Sequence, residues 1–105
     1  MANAAIFRRL ALSFADTEER SHMDHPDFRV AGKIFATLNH DESLGMVKLT
    51  PDQQEVFIHD YPKVFKPVNG AWGRKGCTHI RLSAAKKEML HNALLAAWKN
   101  TAPKK

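Results

Sequence analysis

The residues best suited to hold an anionic polymer lie in a basic, glycine-rich segment, residues 66–81. The segment contains no Asp or Glu, and Trp72 stands between Gly70 and Gly73. Flexible backbone lets cationic side chains follow phosphate groups, and an exposed indole can stack on a base. Alternatively, Trp72 packs into the core and the basic pair is a solvated turn, since large aromatic rings are more often packed than exposed. The cations of the segment are Lys66, Arg74, Lys75 and Arg81.

Residues that could take part in catalysis are few and scattered along this chain. Cys77 and His79 are two residues apart, so in a strand they share one face, as a Cys-His nucleophile pair requires. Such a pair also needs an orienting group, an oxyanion site and a pocket, and no motif indicates them. The glycines at 70, 73 and 76 do not lie between a strand and a helix start, so no phosphate loop is indicated. We therefore expect no enzymatic activity and no cofactor.

A metal site is conceivable only around His22 and His25, which have Asp24 and Asp27 nearby. This spacing lies in a predicted loop, and no third His or Cys is fixed by any motif. The single cysteine excludes a four-cysteine zinc site and an intrachain disulfide. We expect no metal site.

Composition places the chain among ordinary globular proteins. Its 105 residues are 44% hydrophobic and 26% charged, which predicts one domain over residues 1–105. Arg8 and Arg9 interrupt the apolar N-terminal segment, so it does not resemble a signal peptide, and no apolar run is long enough to cross a bilayer. We expect a cytoplasmic protein without membrane contact. Its net charge of +5 favours an anionic partner.

Three helices are predicted, over residues 4–14, over residues 51–61 and after Ser83. Thr50 begins the second helix with a capping box, followed by Pro51 at its first position and completed by Gln53. In the first and last helices, apolar residues recur every four positions, which is typical of an amphipathic helix. These residues are Ile6, Leu10 and Phe14, then Leu90, Leu94 and Trp98.

Alternating side chains predict five strands, and polar or glycine-rich segments separate them. Residues 16–26 are predicted to form a loop, and residues 69–76 a glycine-rich connection. The predicted order is α-β-β-β-α-β-β-α, an α+β domain with an antiparallel sheet. The strands cover residues 28–30, 33–38, 45–49, 64–68 and 78–82.

Three amphipathic helices cannot surround a five-stranded sheet, so we expect them to cover one face and leave the other partly open. If Ile34, Val47 and Ile80 lie on the covered face, the other face is basic and carries some apolar side chains. A charged, solvated surface without a ligand is the alternative interpretation. The predicted open face holds Arg29, Lys33, Phe35, Met46, Lys48, Lys66, His79 and Arg81.

An ordered set of motifs runs along the chain: SH and HPDF near residue 25, GKIFATL at 32–38, GMVKLTP at 45–51, GAWG at 70–73, IRL at 80–82 and AAW at 96–98. As a set they resemble the MmcQ/YjbR family. The resemblance implies a frataxin-like, CyaY-like fold and a DNA-binding role through paired wing-like hairpins. Iron binding, which frataxins associate with an acidic first helix, is not expected, because the first helix carries Arg8 and Arg9 and no acid.

Two functional hypotheses follow from these observations. The first is a DNA-binding domain that holds phosphates without sequence preference, because no segment resembles a recognition helix. The second is a domain that receives a protein or small ligand on its open face, and an enzyme acting there is a third, weaker possibility. The candidate DNA-binding residues are Lys33, Lys48, Lys66, Trp72, Arg74, Lys75 and Arg81.

Overall fold

Helices and antiparallel strands make up most of the chain in a computed structural model that describes residues 2–22 and 25–103. The strands are β1 (Thr17–His22), β2 (His25–Val30), β3 (Lys33–Leu38), β4 (Leu44–Lys48), β5 (Phe65–Pro67) and β6 (Cys77–Arg81). The helices are α1 (Ala4–Leu12), α2 (Pro51–Asp60), α3 (Ala71–Arg74) and α4 (Lys87–Thr101), and a short 3₁₀ helix (Leu82–Ala84) precedes α4. Among these residues, no helix is long and apolar enough to span a membrane.

All strands belong to one antiparallel sheet with the order β1-β2-β3-β4-β6-β5. The first four strands follow one another as neighbours, and β6 then inserts between β4 and β5. The predicted α+β class with an antiparallel sheet is therefore confirmed.

The predicted count of five strands is wrong, because the segment predicted as a loop contains β1. Its register with β2 pairs Glu18 with Arg29 and Arg20 with Asp27. Charged residues occupy both faces of β1, so hydrophobic alternation could not reveal it. The glycine-rich connection likewise contains the short helix α3.

Helices α1 and α4 cover one face of the sheet. Phe7 and Leu10 of α1 and Leu90 and Leu94 of α4 are buried in a core with Val47 of β4. Close approach of α1 depends on a missing side chain in β4: a Cβ on Gly45 would lie 2.5 Å from Cε2 of Phe7. The Phe7 ring packs directly on Gly45, which has no Cβ, and this contact holds α1 over the sheet.

A β-bulge in β3 changes which residues face the core. Phe28 pairs with Ala36 whereas Arg29 pairs with Ile34, so Phe35 is an extra residue on β3. Phe35 and Ala36 are consequently both buried. The prediction that Ile34 faces the core and Phe35 the open side is wrong: the bulge exchanges them, and Ile34 lies on the open face.

Helix α2 begins as its sequence predicts and lies on the β5 side of the sheet. Oγ1 of Thr50 accepts from the backbone N–H of Gln53 at 3.2 Å, and the Gln53 side chain accepts from the Thr50 N–H at 3.0 Å. Phe57 packs against Phe65 of β5 with ring centroids 5.0 Å apart. Farther along the first turn, Gln54 donates through Nε2 to the carbonyls of Gly73 and Cys77, both at 3.0 Å. Helix α2 thereby holds α3 against β6.

Candidate functional site

Strand register decides which side chains share the uncovered face of the sheet. In β6, Cys77 and His79 lie opposite Lys48 and Met46 of β4. The edge strand β5 adds Lys66, which pairs with His79. We call the uncovered side of β4, β6 and β5, together with α3, the basic half of the open face; its cations are Lys48, Lys66, Arg74, Lys75 and Arg81.

A largely apolar groove of about 470 Å³ lies on this face. Its volume falls in the range of small-ligand clefts. Among the described residues that line it, none is acidic and Lys48 is the one Lys or Arg. The lining side chains important here are Ile34, Met46, Val68, Trp72, Cys77 and His79.

Trp72 is exposed at the groove, with 59% of its surface accessible. The interpretation that it packs into the core is therefore wrong. Helix α3 holds it there because Gly73 rests directly on the backbone of Val68, where an added Cβ would lie only 1.7 Å from the Val68 carbonyl oxygen. Nζ of Lys75 lies 5.2 Å from the indole centroid, a distance at which a cation is attracted to the ring face.

The predicted cations are distributed unevenly around the groove. Lys48 lines it, and Lys66 is exposed beside His79 on the neighbouring strand. Arg81 is exposed at the opposite end of β6 from Cys77, and Arg74 is exposed on α3. Along residues 2–22 and 25–103, no carboxylate forms an ion pair with any of these side chains or with Lys75.

Lys33 does not join this group. It pairs with the buried Val30 beside the β2–β3 turn, is exposed at the end of the sheet, and does not line the groove. The prediction that Lys33 belongs to the open face is therefore wrong, because the two-residue turn pairs Lys33 with Val30, whose side chain faces the core.

Arg29 also differs from its predicted role as a free cation. Its Nε and Nη2 atoms donate to the two carboxylate oxygens of Asp27 at 2.9 and 3.3 Å, and Asp27 is fully buried. This contact raises the pKa of Arg29 above its already high usual value. The sequence signal for this ion pair was the opposite charge of two residues that lie two positions apart in one strand. The β1–β2 half of the open face thus carries both signs of charge, whereas the basic half carries cations.

His79 is the polar group in the groove that sequence analysis undervalued. Its Nδ1 atom is buried and has no hydrogen-bond partner in the described structure. Burial lowers the pKa of His79, and the charge of Lys66 lowers it further, against an opposing effect of the Gly45 carbonyl. The ring is therefore uncharged at neutral pH and offers one donor and one acceptor.

Cys77 lies on the same face as His79, as predicted, but its environment opposes nucleophilic chemistry. Burial raises the pKa of the Cys77 thiol, and the charges of Lys48 and Lys75 only partly compensate. Since the thiolate is the nucleophilic form, this thiol is a poor nucleophile.

The conceivable metal site lies partly outside the described residues, because Asp24 and the side chain of His22 are not described. Over the described residues, no cluster of three His, Cys, Asp or Glu side chains could hold a metal ion. Asp27 instead binds Arg29.

Comparison with protein families identifies the family of this chain. The YjbR family model matches residues 12–100, which is most of the chain. This chain belongs to the YjbR family. The predicted resemblance is confirmed, and the matched range extends from the end of α1 to nearly the end of α4. No curated protein matches the chain.

A solved structure similar to this YjbR chain is the Deinococcus radiodurans protein DR2400, which carries a DUF419 domain. The two superpose with a TM-score of 0.78 at 15% sequence identity, over 93% of this chain and 77% of the other. At this identity the likeness shows a shared fold alone. The frataxin-like description stays a prediction.

Proposed function

We propose that this YjbR protein binds nucleic acid through the basic half of its open face. The observation that supports this most directly is the exposed indole of Trp72, which lies at an apolar groove among cations without ion-pair partners. Unpaired cations attract phosphates and release their counterions, and an exposed aromatic ring adds contact with bases.

Phosphate contacts in this proposal come from both sides of the groove. Lys48 and Lys66 lie on the strands, Arg74 ends α3 and Lys75 follows it, so the β5–α3–β6 unit takes the place of the predicted wing. Arg81 extends the contact along β6, and Lys33 is an outlying contact beside the β2–β3 turn. Phosphate contacts carry no sequence information, so binding is non-specific and depends steeply on salt. A cytoplasmic location, expected from the sequence, would give the protein access to this ligand.

The test is a fluorescence-anisotropy titration of a labelled random duplex from low to physiological salt. The native chain is compared with the Arg74→Ala, Lys75→Ala double variant. We expect weaker binding and a salt slope reduced by about two, since each phosphate contact contributes about 0.9 to the slope. The matched control is Lys86→Ala, Lys87→Ala, an adjacent exposed pair before and at the start of α4, which leaves both quantities unchanged.

Two results would contradict the proposal. One is absence of binding to the native chain at low salt. The other is an equal loss of affinity in both double variants, which would mean that net charge rather than this face attracts DNA.

The groove supports a second candidate, a domain that receives a small or protein ligand on the open face. Its lining is mostly apolar, and the His79 side chain is a polar group within it. Binding of such a ligand would persist at high salt, because apolar burial is not screened. Salt dependence therefore discriminates the two candidates. We propose no catalytic role, since the protonated Cys77 thiol leaves the Cys-His pair without its nucleophile.

A further inference from the structure

The groove and the cations around it differ in what they can recognise. Cations attract the phosphates of both a duplex and a single strand, so they do not by themselves require an unpaired base. The apolar side chains of the groove and the exposed ring of Trp72 require a flat apolar surface to cover them. In a duplex the base faces are stacked on one another, so only an unpaired base offers such a face.

The groove is large enough for a base. It measures about 470 Å³, within the range of clefts that take small molecules. Gly73 packs against the Val68 backbone, so the segment that carries Trp72 is ordered before any ligand arrives. An ordered segment avoids the entropy loss of ordering a loop on binding.

A polar side chain lines the groove. His79 is partly buried there, and its uncharged ring offers one hydrogen-bond donor and one acceptor. Nucleobase edges carry both donors and acceptors, so a base in the groove can hydrogen-bond to the ring whichever nitrogen holds the proton.

Charge complementarity selects an anionic strand as the source of that base. Lys48 lines the groove, Lys66 lies beside His79, and Lys75 lies against the Trp72 ring. None of the described lining residues is acidic. Phosphates on either side of an inserted base would therefore meet lysines rather than carboxylates.

We infer that the groove accepts one unstacked nucleobase of a single strand, which stacks on Trp72 and hydrogen-bonds to the His79 ring. This rests on the proposed nucleic-acid binding and gives it a substrate class: single-stranded rather than duplex nucleic acid.

The experiment compares one labelled oligonucleotide as a single strand, as a duplex and as a single strand with abasic sites. Anisotropy titrations at a fixed low salt concentration use the native chain, Trp72→Ala and His79→Leu. Trp72 is exposed, so its replacement leaves the fold intact, and thermal unfolding verifies this for both variants.

The native chain is expected to bind the single strand more tightly than the duplex or the abasic strand. Trp72→Ala lowers single-strand affinity about tenfold, the effect of losing one stacked base, and changes duplex affinity less than about twofold. His79→Leu lowers single-strand affinity about threefold, as loss of one hydrogen bond does. Tryptophan emission falls on binding in the native chain, and this quenching disappears in Trp72→Ala.

Two failures are distinguishable. Equal affinity for all three oligonucleotides, with Trp72→Ala affecting them equally, overturns the base-binding inference and leaves phosphate-directed binding in place. No binding of any oligonucleotide overturns the proposed function itself.

Discussion

Burial of His79 affects stability as well as recognition. Its pKa lies below the ordinary histidine value of about 6.5, chiefly because burial disfavours the charged ring. The unfolded chain therefore binds a proton more readily than the folded chain as pH falls below that value. The stabilising contribution of the neutral ring is present above about pH 6.5 and is lost as pH falls through the folded pKa.

We therefore predict that the melting temperature of the native chain drops between pH 7.5 and pH 5.5 by more than that of His79→Leu. Differential scanning fluorimetry at both pH values measures the two drops. Lys66→Ala is the second comparison: it removes the neighbouring positive charge that helps to lower the pKa, so its drop falls between the other two. Equal drops in the native chain and His79→Leu would show that His79 does not titrate differently on folding.

Individual residues were predictable from sequence only in part. Trp72 and its basic neighbours stood out, but the exposure of the ring depends on the path of the backbone around Gly73 and Val68, which no sequence motif specifies. The Asp27–Arg29 pair had a readable signal, opposite charges at i and i+2 of a strand. The unpartnered Nδ1 of His79 has no sequence signal, since it depends on what the fold leaves around it.

At the scale of elements, the packing of α1 on the sheet depends on one contact between Gly45 and Phe7. A Cβ on Gly45 would lie 2.5, 3.0 and 3.1 Å from three carbons of the Phe7 ring. Since the ring is fully buried, it has little room to move.

We predict that Gly45→Ala lowers the free energy of unfolding by about 1–3 kcal/mol, the usual cost of overpacking. Phe7→Leu is destabilising by itself because it leaves a cavity. In the double variant the smaller side chain makes room for the new methyl group, so the combined loss is smaller than the sum of the two. Urea unfolding of the four proteins completes the cycle, and strictly additive losses would contradict the contact.

Elements with local signals were predicted well, and those without them were missed. The capping box of Thr50 and Gln53 identified the start of α2 because all its parts lie within four residues. Strand β1 carries no apolar alternation, so nothing local marked it. Likewise, Ser83 was expected to begin the last helix, but it lies in the 3₁₀ helix and α4 follows Lys86 as its N-cap.

The bulge at Phe35 shows why face assignment is harder than strand assignment. The boundaries of β3 were predicted correctly, but one extra residue inverted the orientation of Ile34 and Phe35. An alternating sequence is compatible with either a continuous or a bulged ladder, so only the neighbouring strand decides between them.

Over the whole molecule, the net charge of +5 is not evenly exposed. Arg8 of α1 donates a hydrogen bond to Glu19 at 2.7 Å and contacts Glu42 at 3.3 Å, so its charge is neutralised. Arg29 is neutralised by Asp27. The cations of the basic half form no ion pair with a described carboxylate, so they dominate the field on the open face.

This asymmetry predicts that position matters more than total charge. Lys66→Glu and Lys87→Glu change the net charge equally, but only Lys66 lies on the open face. We expect Lys66→Glu to slow association with a labelled oligonucleotide about tenfold at low salt, and Lys87→Glu less than about twofold. Stopped-flow anisotropy measures both rates. Equal slowing by the two variants would assign the attraction to net charge alone.

The two outer strands of the sheet have a consequence for behaviour at high concentration. An unpaired strand edge can template the addition of a strand from another molecule, which is a common beginning of aggregation. Here β5 is only three residues long and ends in Pro67, which has no N–H to donate, and β1 carries adjacent charges at Glu18, Glu19 and Arg20. Neither edge strand therefore offers a long, flat, apolar template. A protein that leaves one sheet face uncovered is in this way protected against fibrous self-assembly along its hydrogen-bonding direction.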